Sequence, residues 1–101
     1  MKQVEREIMA LTDAEELDRI GQRYANSGNH RVAMKAWLRA AELGNRQCRP
    51  RIATLFLRGC LGSRGADYEK VVRLIRQWRE EGDEEVLKAI ELQMKLRSAL
   101  M

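Results

Sequence analysis

The chain has 101 residues, a length that predicts a single domain with a small hydrophobic core. Its residues are 45% hydrophobic and 34% charged, which is the composition of a soluble globular protein, and its net charge is +4 with a pI near 9.4. The longest apolar run, residues 52–57, is too short to span a bilayer, and no apolar core follows the charged first residues, so we expect a cytoplasmic protein without a secretory signal.

The two cysteines, Cys48 and Cys60, are too few for a disulfide framework and form no Cys-x-x-Cys motif. Together with His30, the only histidine, they also fall short of the ligands that a zinc site needs. We therefore expect two reduced thiols packed as small hydrophobic side chains, and neither a metal nor another cofactor.

The first predicted elements are a short amphipathic segment at 2–11 and a helix over 13–27. Acidic residues follow both Thr12 and Asp13 at the spacing of a capping box, so the helix has two registers in which it can begin. Its apolar residues recur three and four positions apart, which is the spacing of one buried helix face. A Ser-Gly-Asn sequence at 27–29 ends this helix.

The next helix, predicted over 30–43, carries the stretch around which the chain is organised. Its inward face consists of Ala33, Ala36, Trp37, Ala40 and Ala41. Small residues let a neighbouring helix approach closely, and the indole of Trp37 then fixes the contact. The opposite side is predicted to be a basic outer stripe of Arg31, Lys35 and Arg39. Gly44 and Asn45 form a strong C-terminal stop signal.

Three further helices are predicted over about 47–58, 68–81 and 84–99, with a loop at 59–66. Pro50 is tolerated if it lies in the first turn, where its missing N–H is not needed. The last helix is apolar over more than one face, which is typical either of a lid on the core or of an uncovered binding face. No stretch alternates as a strand would, so the predicted fold is all-α with five helices.

An internal repeat is suggested by three isoleucines at equivalent places, Ile20, Ile52 and Ile90. They are 32 and 38 residues apart, a spacing typical of arrays of helix pairs. Residues 1–101 are therefore predicted to form one short α/α-hairpin repeat array of about two and a half helix-turn-helix repeats. The repeat-like segments are 14–45, 46–82 and a half repeat at 83–100. The predicted structural core comprises Ile20, Gly21, Tyr24, Trp37, Ala40, Ile52, Phe56, Ile75, Trp78 and Ile90.

Two motifs in the chain have the pattern of a known family. Residues 20–24 read Ile-Gly-Gln-Arg-Tyr, close to a Leu-Gly-x-x-Tyr first helix, and residues 40–45 reproduce an Ala-Ala-Glu-x-Gly-Asn end of a second helix. Residues 52–59 match the first motif more loosely, and Trp-Arg at 78–79 replaces the alanine pair, so packing there must differ. On these residues, over roughly 14–95, the chain resembles the Sel-one-like repeat, an α/α repeat related to the tetratricopeptide repeat.

The resemblance implies a small, bacterial-type adaptor or chaperone that binds a segment of another protein and is not an enzyme. In such families the concave face is lined by first-helix positions beside the packed core. Carried over onto this sequence, these partner-binding positions are Gln22, Asn26, Thr54, Leu57, Arg58, Lys88, Leu92 and Lys95. The set is mixed polar, apolar and basic, which suits an acidic or amphipathic peptide.

Catalytic motifs are weak in this chain. His30 lies beside a turn with no Ser or Cys nucleophile in a recognisable motif around it. The glycines at 59, 62 and 65 lack the preceding strand and the Gly-Lys-Ser/Thr ending of a phosphate-binding loop. We therefore expect no catalytic residues.

Two other functions stay open. Fourteen arginines against five lysines, concentrated around the third and fourth helices, would suit a basic nucleic-acid-associated regulator, although the aromatic residues are predicted to be buried. The last helix would also suit pairing with a partner helix or with a second copy through Leu92, Leu96 and Leu100, which would make the protein a self-assembling structural subunit.

Overall fold

The computed structural model describes residues 2–59 and 66–100, so the predictions for Cys60 and for most of the loop at 59–66 lie outside the described residues. Within the described ranges the fold is all-helical, as predicted. The helices are α1 (Lys2–Ala10), α2 (Ala14–Asn26), α3 (His30–Glu42), α4 (Cys48–Leu57), α5 (Ala66–Glu81) and α6 (Glu84–Leu100).

The prediction of five helices was wrong for this part of the chain, which contains six, because the amphipathic segment at the start is itself a helix. A helix of nine residues has little stability on its own in water. α1 instead packs against α3 and buries Ile8 completely. Tertiary packing rather than local propensity therefore accounts for this helix.

The chain divides into two compact units, Met1–Cys48 and Arg49–Met101. In the first unit α2 and α3 form an antiparallel hairpin, and α3 is buried over most of its circumference. Its buried residues are Val32, Ala33, Met34, Ala36, Trp37, Leu38 and Ala40. Ala41, placed on the inward face by the sequence, is half-buried.

The predicted basic outer stripe on α3 was wrong for two of its three members. Arg31 is exposed, but Lys35 and Arg39 are half-buried. The Nε of Arg39 donates a hydrogen bond of 3.3 Å to the carbonyl of Leu11, in the segment that follows α1. Because α1 packs against α3, this side of the helix faces protein as well as solvent.

Local signals set the ends of α3. Asn29 caps its start, accepting a hydrogen bond from the Val32 N–H. Gly44 adopts a φ of +98°, a conformation that favours glycine. The N–H of Asn45 then turns back to the carbonyl of Ala40, which satisfies an acceptor at the helix end.

Asp13, not Thr12, caps α2, which decides between the two registers left open by the sequence. The Asp13 carboxylate accepts from the backbone N–H groups of Glu15 at 3.0 Å and Glu16 at 3.2 Å.

We expect Asp13→Ala to lower the free energy of unfolding by about 0.5–2 kcal/mol, because it leaves helix donors without this acceptor. Thr12→Ala, the matched control, should change it by less than about 0.5 kcal/mol. Urea unfolding followed by circular dichroism measures both, and a larger loss at Thr12 would contradict the assignment.

In the second unit α5 and α6 form a hairpin joined at Gly82 and Asp83, and Asp83 caps α6 by accepting from the Val86 N–H at 3.2 Å. The rings of Phe56 on α4 and Tyr68 on α5 pack with centroids 5.0 Å apart. Pro50 lies in the first turn of α4, where its lack of an N–H is tolerated.

Two arginines define the direction of α4 relative to α6 within this unit. Arg49, at the start of α4, contacts Asp83, the residue before α6. Arg97, in the last turn of α6, donates to the carbonyl of Leu57, at the end of α4, over 3.1 Å. The two helices therefore run in the same direction.

Candidate functional site

The packing between α2 and α3 is centred on Gly21 and Trp37. Trp37 is only 4% exposed, and its Nε1 donates a 3.3 Å hydrogen bond to the carbonyl of Asp18. A Cβ built on Gly21 would lie 2.3 Å from that same Nε1, so the indole occupies the space that any other side chain would need. This contact holds α2 and α3 together.

The predicted structural core divides into two groups. Gly21, Trp37, Ala40, Ile52 and Trp78 are buried. The others are half-buried rather than buried: Ile20, Tyr24, Phe56, Ile75 and Ile90. Met34 and Leu38 are also buried, beside the alanine face, and were not predicted to belong to the core. Their i, i+4 spacing is typical of a buried helix face and could have indicated this.

Arg49 belongs to the arginine-rich region singled out in the sequence, yet it acts inside the second unit. Its Nη1 lies 3.0 Å from a Glu81 carboxylate oxygen and 3.2 Å from one of Asp83. Its guanidinium carbon lies 5.1 Å from the centroid of the Trp78 ring, a cation–π arrangement. Because the Asp83 side chain is only 8% exposed, this pair is shielded from solvent on one side. Arg49 is therefore engaged in holding α4, α5 and α6 together.

A groove of about 490 Å³ lies between α1 and α2 in the first unit. Its lining is Val4, Glu7, Ile8, Ala10, Leu11, Glu16, Ile20, Arg23 and Tyr24. The apolar residues other than Ala10 are buried or half-buried and form its floor, whereas Glu7, Glu16 and Arg23 are exposed at its edge. Volumes of roughly 300–1,000 Å³ are usual for binding pockets, so this groove is large enough to hold a few side chains of a partner. Ile20 and Tyr24 are half-buried because they line it.

A second apolar surface lies on α6. Val86 anchors the helix in the second unit and is fully buried, whereas Leu92 is 54%, Leu96 49% and Leu100 89% exposed. Spaced four residues apart, these three leucines form one ridge, which we call the leucine stripe. Two further exposed residues, Leu87 and Met94, lie on the other flank of the helix.

The eight predicted partner-binding residues are placed in both units. Gln22 and Asn26 adjoin on α2, where their side-chain amides lie 3.5 Å apart. Thr54 and Leu57 on α4 are half-buried, and Arg58, which follows the helix, is exposed. On α6, Lys88 and Lys95 are exposed and pair with carboxylates one turn away, Glu85 at 3.5 Å and Glu91 at 3.1 Å. Leu92 belongs to the leucine stripe.

Among the described residues, no group of three or more His, Cys, Asp and Glu side chains is arranged to hold a metal ion. None of the helices in the described ranges has both the length and the apolar character needed to cross a membrane. His30 lies in the first turn of α3, and Cys48 is buried with its Sγ 3.6 Å from an Asp18 carboxylate oxygen.

Comparison of the chain with protein-family models, curated proteins and solved structures yields no match. The resemblance to the Sel-one-like repeat therefore depends on the sequence motifs at 20–24 and 40–45 and on the looser match at 52–59.

Proposed function

We propose that this protein is a small, non-enzymatic helical-repeat adaptor or chaperone that binds a segment of another protein through α6. The observation that carries this proposal is the leucine stripe, three large apolar side chains that are each about half exposed or more. Adjacent exposed apolar residues on a soluble protein commonly mark an interaction surface, because their burial by a partner is favourable.

The repeat arrangement is supported by the second unit. In an array of helix pairs, corresponding helices of successive repeats run in the same direction with an antiparallel helix between them. α4 and α6 have this relation through the contacts of Arg49 and Arg97, and α5 forms the antiparallel hairpin with α6. The α2–α3 hairpin of the first unit supplies the other helix pair.

The chemistry beside the leucine stripe favours an amphipathic partner. Lys88 and Lys95 are exposed along the same side of the helix as Leu92. Their pairs with Glu85 and Glu91 are solvent-exposed and contribute little, so both ammonium groups can take part in recognition. A helical segment with apolar residues at i, i+4 spacing and carboxylates at its edge would match this surface.

We expect capture of the partner from a native lysate by the tag-free immobilised protein to be lost with the double substitution Leu92→Glu, Leu96→Glu. Both side chains are exposed, so the change should place charge on the binding surface and leave folding intact. Mass spectrometry of the retained proteins, with and without nuclease, is the measurement.

Leu87→Glu is the matched control, since Leu87 is an exposed leucine on the other flank of α6. It should retain the partner. Partners that persist in the stripe variant would contradict the assignment of α6. Partners that vanish with nuclease would instead indicate nucleic-acid binding through the arginine-rich surface.

A further inference from the structure

We infer that the leucine stripe of one copy docks into the α1–α2 groove of a second copy, so that the protein self-associates through two different surfaces. This inference rests on the proposed function only in assigning the stripe as a binding surface. It names a second copy of this chain as the occupant.

The two surfaces are similar in length. The leucine stripe is a ridge that spans the eight-residue interval from Leu92 to Leu100, about 12 Å of helix. α1, one wall of the groove, has nine residues and a similar length of about 13 Å. The groove offers half-buried apolar side chains, among them Val4, Leu11 and Ile20. A ridge of leucines in such a groove removes apolar surface from water on both partners.

The charges at the edges are also complementary. Lys88 and Lys95 flank the leucine stripe, and Glu7 and Glu16 stand exposed at the edge of the groove. Arg23 is the one cation in the groove lining and lies one turn of α2 beyond Ile20, away from Glu16. A docked α6 can therefore place its lysines beside the two carboxylates.

Pairing of α6 with α6 of a second copy is less well matched. In a parallel pair, the flank of α6 that carries Lys95 would face the opposite flank of the other helix, which carries Arg97. In an antiparallel pair centred on Leu96, the flanks that carry the lysines would face each other, so the two copies of Lys95 would lie close together. Both arrangements bring like charges together at the edge of the apolar contact, which opposes association.

In an interface between two different surfaces, unlike a self-complementary one, the two halves of the contact can be altered separately. Each copy carries both halves, a stripe and a groove. A variant that lacks a functional stripe still has its groove, and a variant with an altered groove still has its stripe. Mixing the two variants should therefore restore one contact, between the intact groove of one and the intact stripe of the other. The product should be a dimer that cannot add further copies.

The test uses size-exclusion chromatography with light scattering on the full, tag-free chain over a range of concentrations. The wild-type protein should have a mass above the 11.7 kDa of one chain, rising with concentration. The stripe variant (Leu92→Glu, Leu96→Glu) and the groove variant (Glu7→Lys, Glu16→Lys) should each remain at 11.7 kDa. An equimolar mixture of the two should reach twice that mass. The charge-reversal control Glu69→Lys, Glu80→Lys changes two exposed carboxylates on α5 and should behave as wild type.

A wild-type protein that stays at one chain's mass would overturn the inference. So would a mixture that stays monomeric although the stripe variant alone abolishes association, since that result indicates pairing of α6 with α6. The proposed function has a different test. It would be contradicted if the stripe variant still captured the partner protein, whatever the mass measurements show. Thermal melts of both variants establish that loss of association is not loss of folding.

Discussion

Trp37→Ala is expected to lower the free energy of unfolding by about 3–5 kcal/mol, the range for removing a large buried aromatic side chain. The ring is 4% exposed, and the face it packs against contains Gly21, which cannot fill the space left behind. Domains of this size are stable by only about 5–15 kcal/mol in total. Since 1 kcal/mol shifts the melting temperature of a domain of 60–100 residues by roughly 4–8 °C, we expect a fall of more than about 12 °C.

Trp37→Phe separates the apolar contact from the hydrogen bond. It retains an aromatic ring but removes the Nε1 donor to the Asp18 carbonyl, so a smaller loss is expected, of which the hydrogen bond contributes about 0.5–1.5 kcal/mol. Calorimetry or thermal melts followed by circular dichroism measure all three proteins. A melting temperature that hardly moves in Trp37→Ala would mean that the indole is not part of the core.

Gly21→Ala is expected to destabilise the protein by about 2–3 kcal/mol, at the upper end of the usual range for overpacking. At an open helical position this substitution would stabilise, because alanine is the better helix former by about 0.8–1.0 kcal/mol. Here the added Cβ would lie 2.3, 2.5 and 2.8 Å from the Nε1, Cδ1 and Cε2 atoms of Trp37. A rigid, buried ring cannot move aside without displacing its own neighbours.

The control for this substitution is the same change in a Trp37→Leu background. With the indole removed, Gly21→Ala should become neutral or stabilising by up to about 1 kcal/mol. Denaturant unfolding of the four proteins gives the coupling energy between the two positions. Equal effects of Gly21→Ala in both backgrounds would show that the indole does not restrict this position.

The helices that the sequence did predict agree with the structure where local signals set their ends. The helix predicted over 30–43 is observed as α3 at His30–Glu42, and the one predicted over 84–99 is observed as α6 at Glu84–Leu100. Caps such as Asn29 and stops such as Gly44 act through hydrogen bonds and φ angles of neighbouring residues, so they can be recognised from the sequence.

The features that could not be predicted from the sequence depend on contacts between residues that are distant along the chain. α1 exists as a helix because it packs against α3, and the amphipathic pattern of this segment does not show which element covers its apolar face. The same placement leaves a groove between α1 and α2, so Ile20 and Tyr24 are half-buried despite belonging to a core motif. The apolar pattern of the last helix was consistent both with a lid on the core and with a binding face. In the structure, Val86 anchors one side of α6, and the leucine stripe on another side is exposed.

The two tryptophans of this chain fall in different compact units, Trp37 in the first and Trp78 in the second. Each is held in a distinct environment, one donating to a backbone carbonyl and the other lying beneath the Arg49 guanidinium. Intrinsic fluorescence therefore supplies a separate probe for each half of the chain. Removing either indole conservatively, by substitution with phenylalanine, would show whether the two halves unfold together or one after the other.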